Sequence, residues 1–334
     1  MTSLPHRLVG AALDGANGAV ARFARLRPDR PYARGRYRIT RDVRYGDRPD
    51  QRLDVYAPLR LPGARPLALY LHGGGFRVLS KDTHGFMAGQ LAGAGWTVVC
   101  PDYRLAPRHP FPAALEDATA ALMWSLDRAA DLGADPDRLL LVGESAGGCL
   151  STALALAACF ERPEPFARTI FERAPRIDAV APLCPFLHVA GRAPTPREAS
   201  MPGFVRARVA QLVDGYAGHV SGDAAFFASP IVPLESDRAP DRPLPPFFAS
   251  CGSDDVIVED TRRLERALAR RGVDHEVRYY TGQGHAFQAR FWTPQGRRSW
   301  EDLIAFVRTR GRASAAAGAG GRARTSASAP DTAR

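Results

Sequence analysis

Short, wholly apolar runs alternate with longer amphipathic or alanine-rich stretches along most of this 334-residue chain. Residues 67–71 and 139–142 are of the first kind and 96–100 and 246–251 nearly so, and such runs predict buried strands, while 177–180 and 275–280, which carry charged residues, predict two more strands. Residues 37–40, 43–45 and 53–56 alternate more evenly around a Gly/Asp/Pro turn and predict an antiparallel start to the sheet. Between the runs, residues 113–126 carry Leu115, Ala118, Leu122 and Leu126 on one face, and 261–271 carry Leu264 and Leu268. Residues 146–160 and 300–307 complete the predicted helices. Strands alternating with helices mean an α/β fold, with a mostly parallel sheet and helices on both faces.

Two stretches break the rhythm and one closes it. Residues 1–35 are mixed, with one or two short amphipathic helices ended by Pro28 and Pro31, and form an N-terminal helical arm or part of a cap. Residues from about 185 to 245 are rich in Pro, Gly, Ala and Arg, with helical patches around Phe204 to Tyr216. An insertion of that size between two strands is expected to be a helical cap over a site. From Gly311 onward the chain is Ala/Gly/Ser/Arg and is expected to be a disordered tail. The catalytic domain is thus expected to span residues 36–310.

Composition removes several functions. With 45% hydrophobic and 24% charged residues the chain reads as an ordinary globular protein. No apolar run reaches the ~20 residues of a membrane span. The first twenty residues lack a signal-peptide core, so the expected location is cytoplasmic. The net charge of +10 is spread along the chain as arginine, without basic blocks interleaved with aromatics, which argues against nucleic acid. Five cysteines, Cys100, Cys149, Cys159, Cys184 and Cys251, are scattered and mostly sit in apolar runs. They show no metal-ligand spacing and no disulfide framework, as in a reduced compartment.

The chemistry gathers where strands end. The run 139–142 stops at Gly143-Glu144-Ser145-Ala146-Gly147, a G-x-S-x-G pattern between a strand and a helix. Such a turn lifts the Ser145 hydroxyl above the sheet edge at a helix N-terminus, where developing negative charge is favoured. A serine nucleophile needs a base, and the base needs an acid to fix its tautomer. His285 lies in a glycine-rich turn after the last strand, and Asp254-Asp255 follow the strand before it. Asp255, at the turn before a helix, is the preferred acid, with Asp254 as the alternative. A central strand runs into His72-Gly73-Gly74-Gly75, whose backbone N–H groups suit an oxyanion, with the N–H of Ala146 as a further donor.

Taken in order, His72-Gly73-Gly74-Gly75-Phe76, Asp102-Tyr103-Arg104-Leu105-Ala106-Pro107 and Gly143-Glu144-Ser145-Ala146-Gly147-Gly148 resemble the hormone-sensitive-lipase-like family of α/β-hydrolase esterases. Asp255 and His285 match its remaining triad positions, and the likeness covers roughly residues 50 to 310. The resemblance implies an α/β-hydrolase fold with an eight-stranded sheet and a cap. It implies hydrolysis of small-molecule esters of short to medium acyl chains without a cofactor; the sequence leaves the oligomeric state unread, with a homodimer as one expectation. By analogy Gly74 and Gly75 donate to the oxyanion and His72 is structural. The chain departs from many relatives at Glu144, where they carry Asp, and at Val256, where they carry Pro. Arylformamide hydrolases and some peptidases share the fold and elbow, and remain alternatives. The gibberellin receptors resemble the family as non-catalytic binders but lack the triad histidine, which this chain keeps.

Overall fold

The computed structural model describes residues 36–59, 63–191 and 196–323, with side chains described to residue 310. The predicted N-terminal arm lies outside the described residues. Eight strands form one sheet: β1 (Tyr37–Arg44), β2 (Arg52–Pro58), β3 (Arg65–Leu71), β4 (Thr97–Pro101), β5 (Ala134–Glu144), β6 (Ile177–Leu183), β7 (Phe247–Gly252) and β8 (His275–Tyr280). Their spatial order is β1-β2-β4-β3-β5-β6-β7-β8. β1 and β2 pair antiparallel, β2 meets β4 antiparallel, and every later pairing is parallel.

The helices are α1 (Lys81–Gly93), α2 (Ala113–Asp127), α3 (Ala146–Cys159), α4 (Pro165–Arg173), α5 (Pro196–Ala199), α6 (Gly203–Ala217), α7 (Ile231–Glu235), α8 (Val258–Arg270) and α9 (Pro294–Ala323). The continuous apolar runs of the central strands are explained by two cores. Leu67, Leu69, Leu71, Leu139 and Leu141 face one side, against Leu115, Leu122, Leu150 and Leu154 of α2 and α3. Ala68, Tyr70, Leu140 and Val142 face the other, against Met87 and Leu91 of α1 and Trp300, Leu303 and Phe306 of α9. Successive strand residues point to opposite faces, so both sets must be apolar.

One sequence expectation differs from the structure. The last helix continues to Ala323, past Gly311, where a disordered tail is predicted. Alanine has the highest helix propensity, and that segment is alanine-rich. The insertion at 185–245 is partly built into the core. Phe226 and Phe227 are buried against Phe160 and Phe166, and Ile231 and Leu234 join the same core. Phe204, in contrast, is exposed. Among the described residues no helix is long and apolar enough to cross a membrane.

Candidate active site

Three strand ends build the site. β5 ends at Glu144, and Ser145 takes φ +54° and ψ −113° before α3 begins at Ala146. A non-glycine residue at positive φ is strained, and the surroundings must hold it there. The Ser145 N–H donates to the Leu183 carbonyl at 2.9 Å, and its own carbonyl accepts from Cys149 and Phe186. Gly143 and Gly147 permit this crossing. A Cβ on Gly143 would come within 2.9 Å of the Leu71 carbonyl oxygen, and one on Gly147 within 2.6 Å of that of His72.

The loops after β7 and β8 are fastened together. Ser253 N–H donates to Tyr280, Asp254 N–H to Gln283, and Gly282 N–H to Ser253 Oγ. Gly252 has no room for a Cβ, which would meet the Gly284 carbonyl oxygen at 2.8 Å. This clasp carries His285 to Ser145: Nε2 lies 3.0 Å from Oγ. On its other side Nδ1 lies 3.0 and 2.9 Å from the two carboxylate oxygens of Asp255. The structure thus brings Ser145, His285 and Asp255 into one hydrogen-bonded line. Asp254 is exposed, its carboxylate accepting from Ser253 Oγ, and does not reach the histidine.

Asp255 is fully buried yet well satisfied. It also accepts the Ile257 N–H at 2.9 Å and the Cys251 thiol at 3.3 Å. Burial alone would raise its pKa, but the His285 hydrogen bond and charge, with those two donors, hold it below the ordinary carboxylate value. For His285, burial lowers the pKa and the Asp255 partner more than restores it, leaving the imidazole above its usual value. Cys251 is a contact that sequence reasoning missed, and nothing in the local pattern marks it.

The glycine strand after β3 lies beside the elbow. Gly74 takes φ +113° and Gly75 φ +60°. Among the described residues no hydrogen bond consumes the N–H of either glycine. The Ala146 N–H belongs to the first turn of α3, where amides have no partner within the helix. Leu212 of α6 stands over the glycine strand, where a Cβ on Gly75 would meet its Cδ1 at 2.8 Å. Tyr216 of the same helix stacks flat on Phe76, ring centroids 3.7 Å apart. His72 is buried, stacks on Tyr103 at 4.1 Å, and burial pushes its pKa down to about 3, so it stays neutral. Sequence reasoning missed His84 of α1, whose Nε2 accepts the Gly73 N–H at 3.2 Å. The only metal-ligand chemistry gathered among the described residues is Cys184, Asp255 and His285, with donor atoms within 4.8 Å of one another. There the acid and base are already bonded to each other, and burial raises the Cys184 thiol pKa, keeping it protonated.

Comparison with known proteins bears on the fold and family. The family described as alpha/beta hydrolase fold matches residues 68–289. The carboxylesterase NlhH of Mycobacterium tuberculosis is 41% identical over 149 residues, 44% of this chain and 46% of that protein. The chain therefore aligns with about half the length of that relative. An acetyl-hydrolase of Streptomyces hygroscopicus is 31% identical over 247 residues, 72% of this chain and 75% of the relative. Among solved structures, an esterase of Pyrobaculum calidifontis superposes with a TM-score of 0.71 at 27% identity, covering 91% of this chain and 92% of its own. With its eight-stranded sheet, its serine elbow and these relatives, the chain belongs to the α/β-hydrolase fold family, in its hormone-sensitive-lipase-like branch.

Proposed function

We propose that this protein is a serine carboxylic-ester hydrolase acting through an acyl-enzyme. The observation that carries this reading is the line from Ser145 Oγ through His285 to Asp255, with 3.0 Å at the first link and 2.9 Å at the second. Ser145 Oγ attacks the ester carbonyl as His285 Nε2 takes its proton. The tetrahedral oxyanion is received by the N–H groups of Gly74, Gly75 and Ala146. His285 then gives its proton to the leaving alcohol, and the acyl group stays on Ser145. Water, deprotonated by His285, attacks the acyl carbonyl and releases the acid and the free serine. Asp255 holds the Nδ1–H tautomer and stabilises the imidazolium at each step.

The substrate range in this reading is short- to medium-chain acyl esters. The acetyl-hydrolase relative supports the short end. Leu212 above Gly75 supports a cap role for the 185–245 segment, limiting the space next to the carbonyl. We extend the reading to a cytoplasmic location, consistent with five free and buried cysteines, and to a homodimer. The sheet ends at β8, which leaves an edge for a second copy. Cell fractionation and sedimentation velocity test those two extensions.

The central test is hydrolysis of p-nitrophenyl esters from C2 to C16 by wild type and Ser145→Ala. Activity in the wild type alone, with an optimum at or below about C8, is the expected outcome. Ester cleavage that survives in Ser145→Ala overturns the mechanism. A folded wild type that cleaves aryl formamides or peptides and no ester overturns the substrate class.

A further inference from the structure

The oxyanion strand is short, glycine-rich and carries two residues at positive φ. Glycines bring freedom as well as access, so something outside the strand must fix the direction of its N–H groups. The relevant units are peptide planes, because the C=O of one residue and the N–H of the next are rigidly opposed. In the plane joining residues 72 and 73, the carbonyl oxygen accepts the Tyr103 hydroxyl at 2.7 Å, and the N–H donates to His84 Nε2 at 3.2 Å. In the next plane the Gly73 carbonyl lies 2.7 Å from His72 Nδ1. With that oxygen held, the Gly74 N–H is aimed the opposite way, away from the His72 ring.

The protonation state of His84 follows from its partners. A backbone N–H only donates, so Nε2 must carry the lone pair and Nδ1 the proton. Nδ1 has acceptors ready: Thr83 Oγ1 at 2.9 Å and the Ser80 carbonyl at 3.2 Å. Thr83 Oγ1 donates its own proton to the Ser80 carbonyl at 2.7 Å and accepts the Ser80 N–H at 3.1 Å, which leaves it a lone pair for Nδ1–H. The Ser80–Thr83 turn that starts α1 therefore also locks the tautomer of His84. The same state accounts for an otherwise odd neighbour. Glu144 Oε2 is buried 3.9 Å from His84 Nε2 and has no hydrogen-bond partner among the described residues. With Nε2 accepting from Gly73, His84 has no proton on that side to offer the carboxylate.

We propose that His84 is a positioning residue for ester hydrolysis: as the neutral Nδ1–H tautomer it clamps the 72–73 peptide opposite Tyr103 and so aims the adjoining Gly74 N–H at the oxyanion, while the Gly74 carbonyl, and with it the Gly75 N–H, is held by the Arg77 and Val78 N–H groups. The inference rests on the serine-hydrolase reading above. His84 touches no substrate, and its effect passes through Gly73.

Two substitutions in the full chain separate the two ends of the ring. His84→Gln places an acceptor where Nε2 was and retains the bond from Gly73. His84→Asn places its amide where Nδ1 was, keeps the contact with Ser80 and Thr83, and loses Gly73. The assay is p-nitrophenyl butyrate hydrolysis, alongside inhibition by an alkyl trifluoromethyl ketone, whose tetrahedral adduct uses the same donors. For His84→Asn, kcat is expected to fall about 10- to 100-fold, the range of a modest misplacement at a catalytic site. KM should stay within about two-fold, and the inhibition constant should rise in step with the loss of kcat. His84→Gln is expected to recover to within about three-fold of wild type. Equal impairment of both variants, or His84→Asn with wild-type kcat, overturns the proposal, as does a loss confined to KM. Ser145→Ala run beside them keeps the readings apart. An inactive Ser145→Ala with a fully active His84→Asn sinks the positioning role alone, whereas an active Ser145→Ala sinks the hydrolase reading itself.

Discussion

Gly147 tests how closely the elbow is tied to the sheet. Replacing it by alanine adds one methyl group 2.6 Å from the His72 carbonyl oxygen and nearer still to that of Leu71. Both obstacles are backbone, so neither can rotate aside. The clash is relieved only if α3 retreats from β3 by on the order of 1 Å, in an interior already packed to crystal density. Helix α3 has nowhere easy to go, since every residue from Ala146 to Cys159 is buried. Overpacking of this kind costs about 1–3 kcal/mol, and backbone obstacles place this case at the upper end. At roughly 2 °C per kcal/mol for a chain of this size, Tm should fall by about 4–6 °C. The chemical effect should be larger. The retreat moves Ser145 against His285, now 3.0 Å away, and displaces the carbonyl end of the glycine strand at the same time. A 1 Å error at reacting groups costs on the order of 10²-fold. The assay is a thermal melt and kcat on one ester with one preparation. Gly203→Ala serves as control, because a Cβ there has only the Arg206 side chain in reach, at 3.9 Å. Gly147→Ala with Tm within about 1 °C and kcat within about two-fold of wild type would refute the reasoning.

Four further outcomes follow from individual contacts. Asp255→Asn removes the partner that raises His285, so the acid limb of the kcat/KM profile should move to lower pH while the plateau drops roughly 10³- to 10⁴-fold. Asp254→Asn should leave both limb and plateau unchanged. The depressed Asp255 carboxyl also contributes stability that is present above the ordinary carboxylate range and lost as pH falls through its lowered value. Acid unfolding of Asp255→Asn should therefore be less steep than that of wild type, as read by circular dichroism from neutral pH to pH ~2. Lys81→Met takes from the fully buried Asp54 the ammonium now 2.8 Å away and leaves it Arg41 at 3.3 Å and the Asp42 N–H, so a loss no larger than the low end of about 3–5 kcal/mol is expected in urea unfolding. A midpoint equal to that of wild type would contradict this account of the pair.

The site was legible because its parts sit at strand ends, where apolar runs stop at glycine. Ser145, His285 and the glycine strand all have that signature, and the structure brings the first two to 3.0 Å. The sequence favoured Asp255 and left Asp254 open as the alternative. Which of two adjacent carboxylates turns inward depends on donors at Ile257 and Cys251 that lie on the folded loop. Helix α1 was invisible for a different reason. Its buried positions, Lys81, His84, Gly85, Met87, Ala88, Gly89, Leu91 and Ala92, include charged and glycine residues and trace no apolar stripe. Gly89 is there because Tyr37 packs against it: a Cβ would sit 3.0 Å from the Tyr37 Cζ. With the helix went His84, whose role is set by a partner eleven residues earlier in sequence.

The chain contains one lysine, and that lysine is Lys81, 1% exposed and engaged by Asp42, Asp54 and Asp82. Cationic surface is otherwise arginine, which bears no nucleophilic amine at neutral pH. Succinimidyl dyes, glutaraldehyde and amine-coupled sensor chips therefore find no exposed lysine side chain to react with. Immobilisation or labelling of this protein is better directed at carboxylates or at an introduced cysteine, since all five native thiols are buried too. A single lysine placed on an exposed helix face would become the one exposed lysine side chain for attachment, leaving the hydroxyl at the elbow free to report on catalysis.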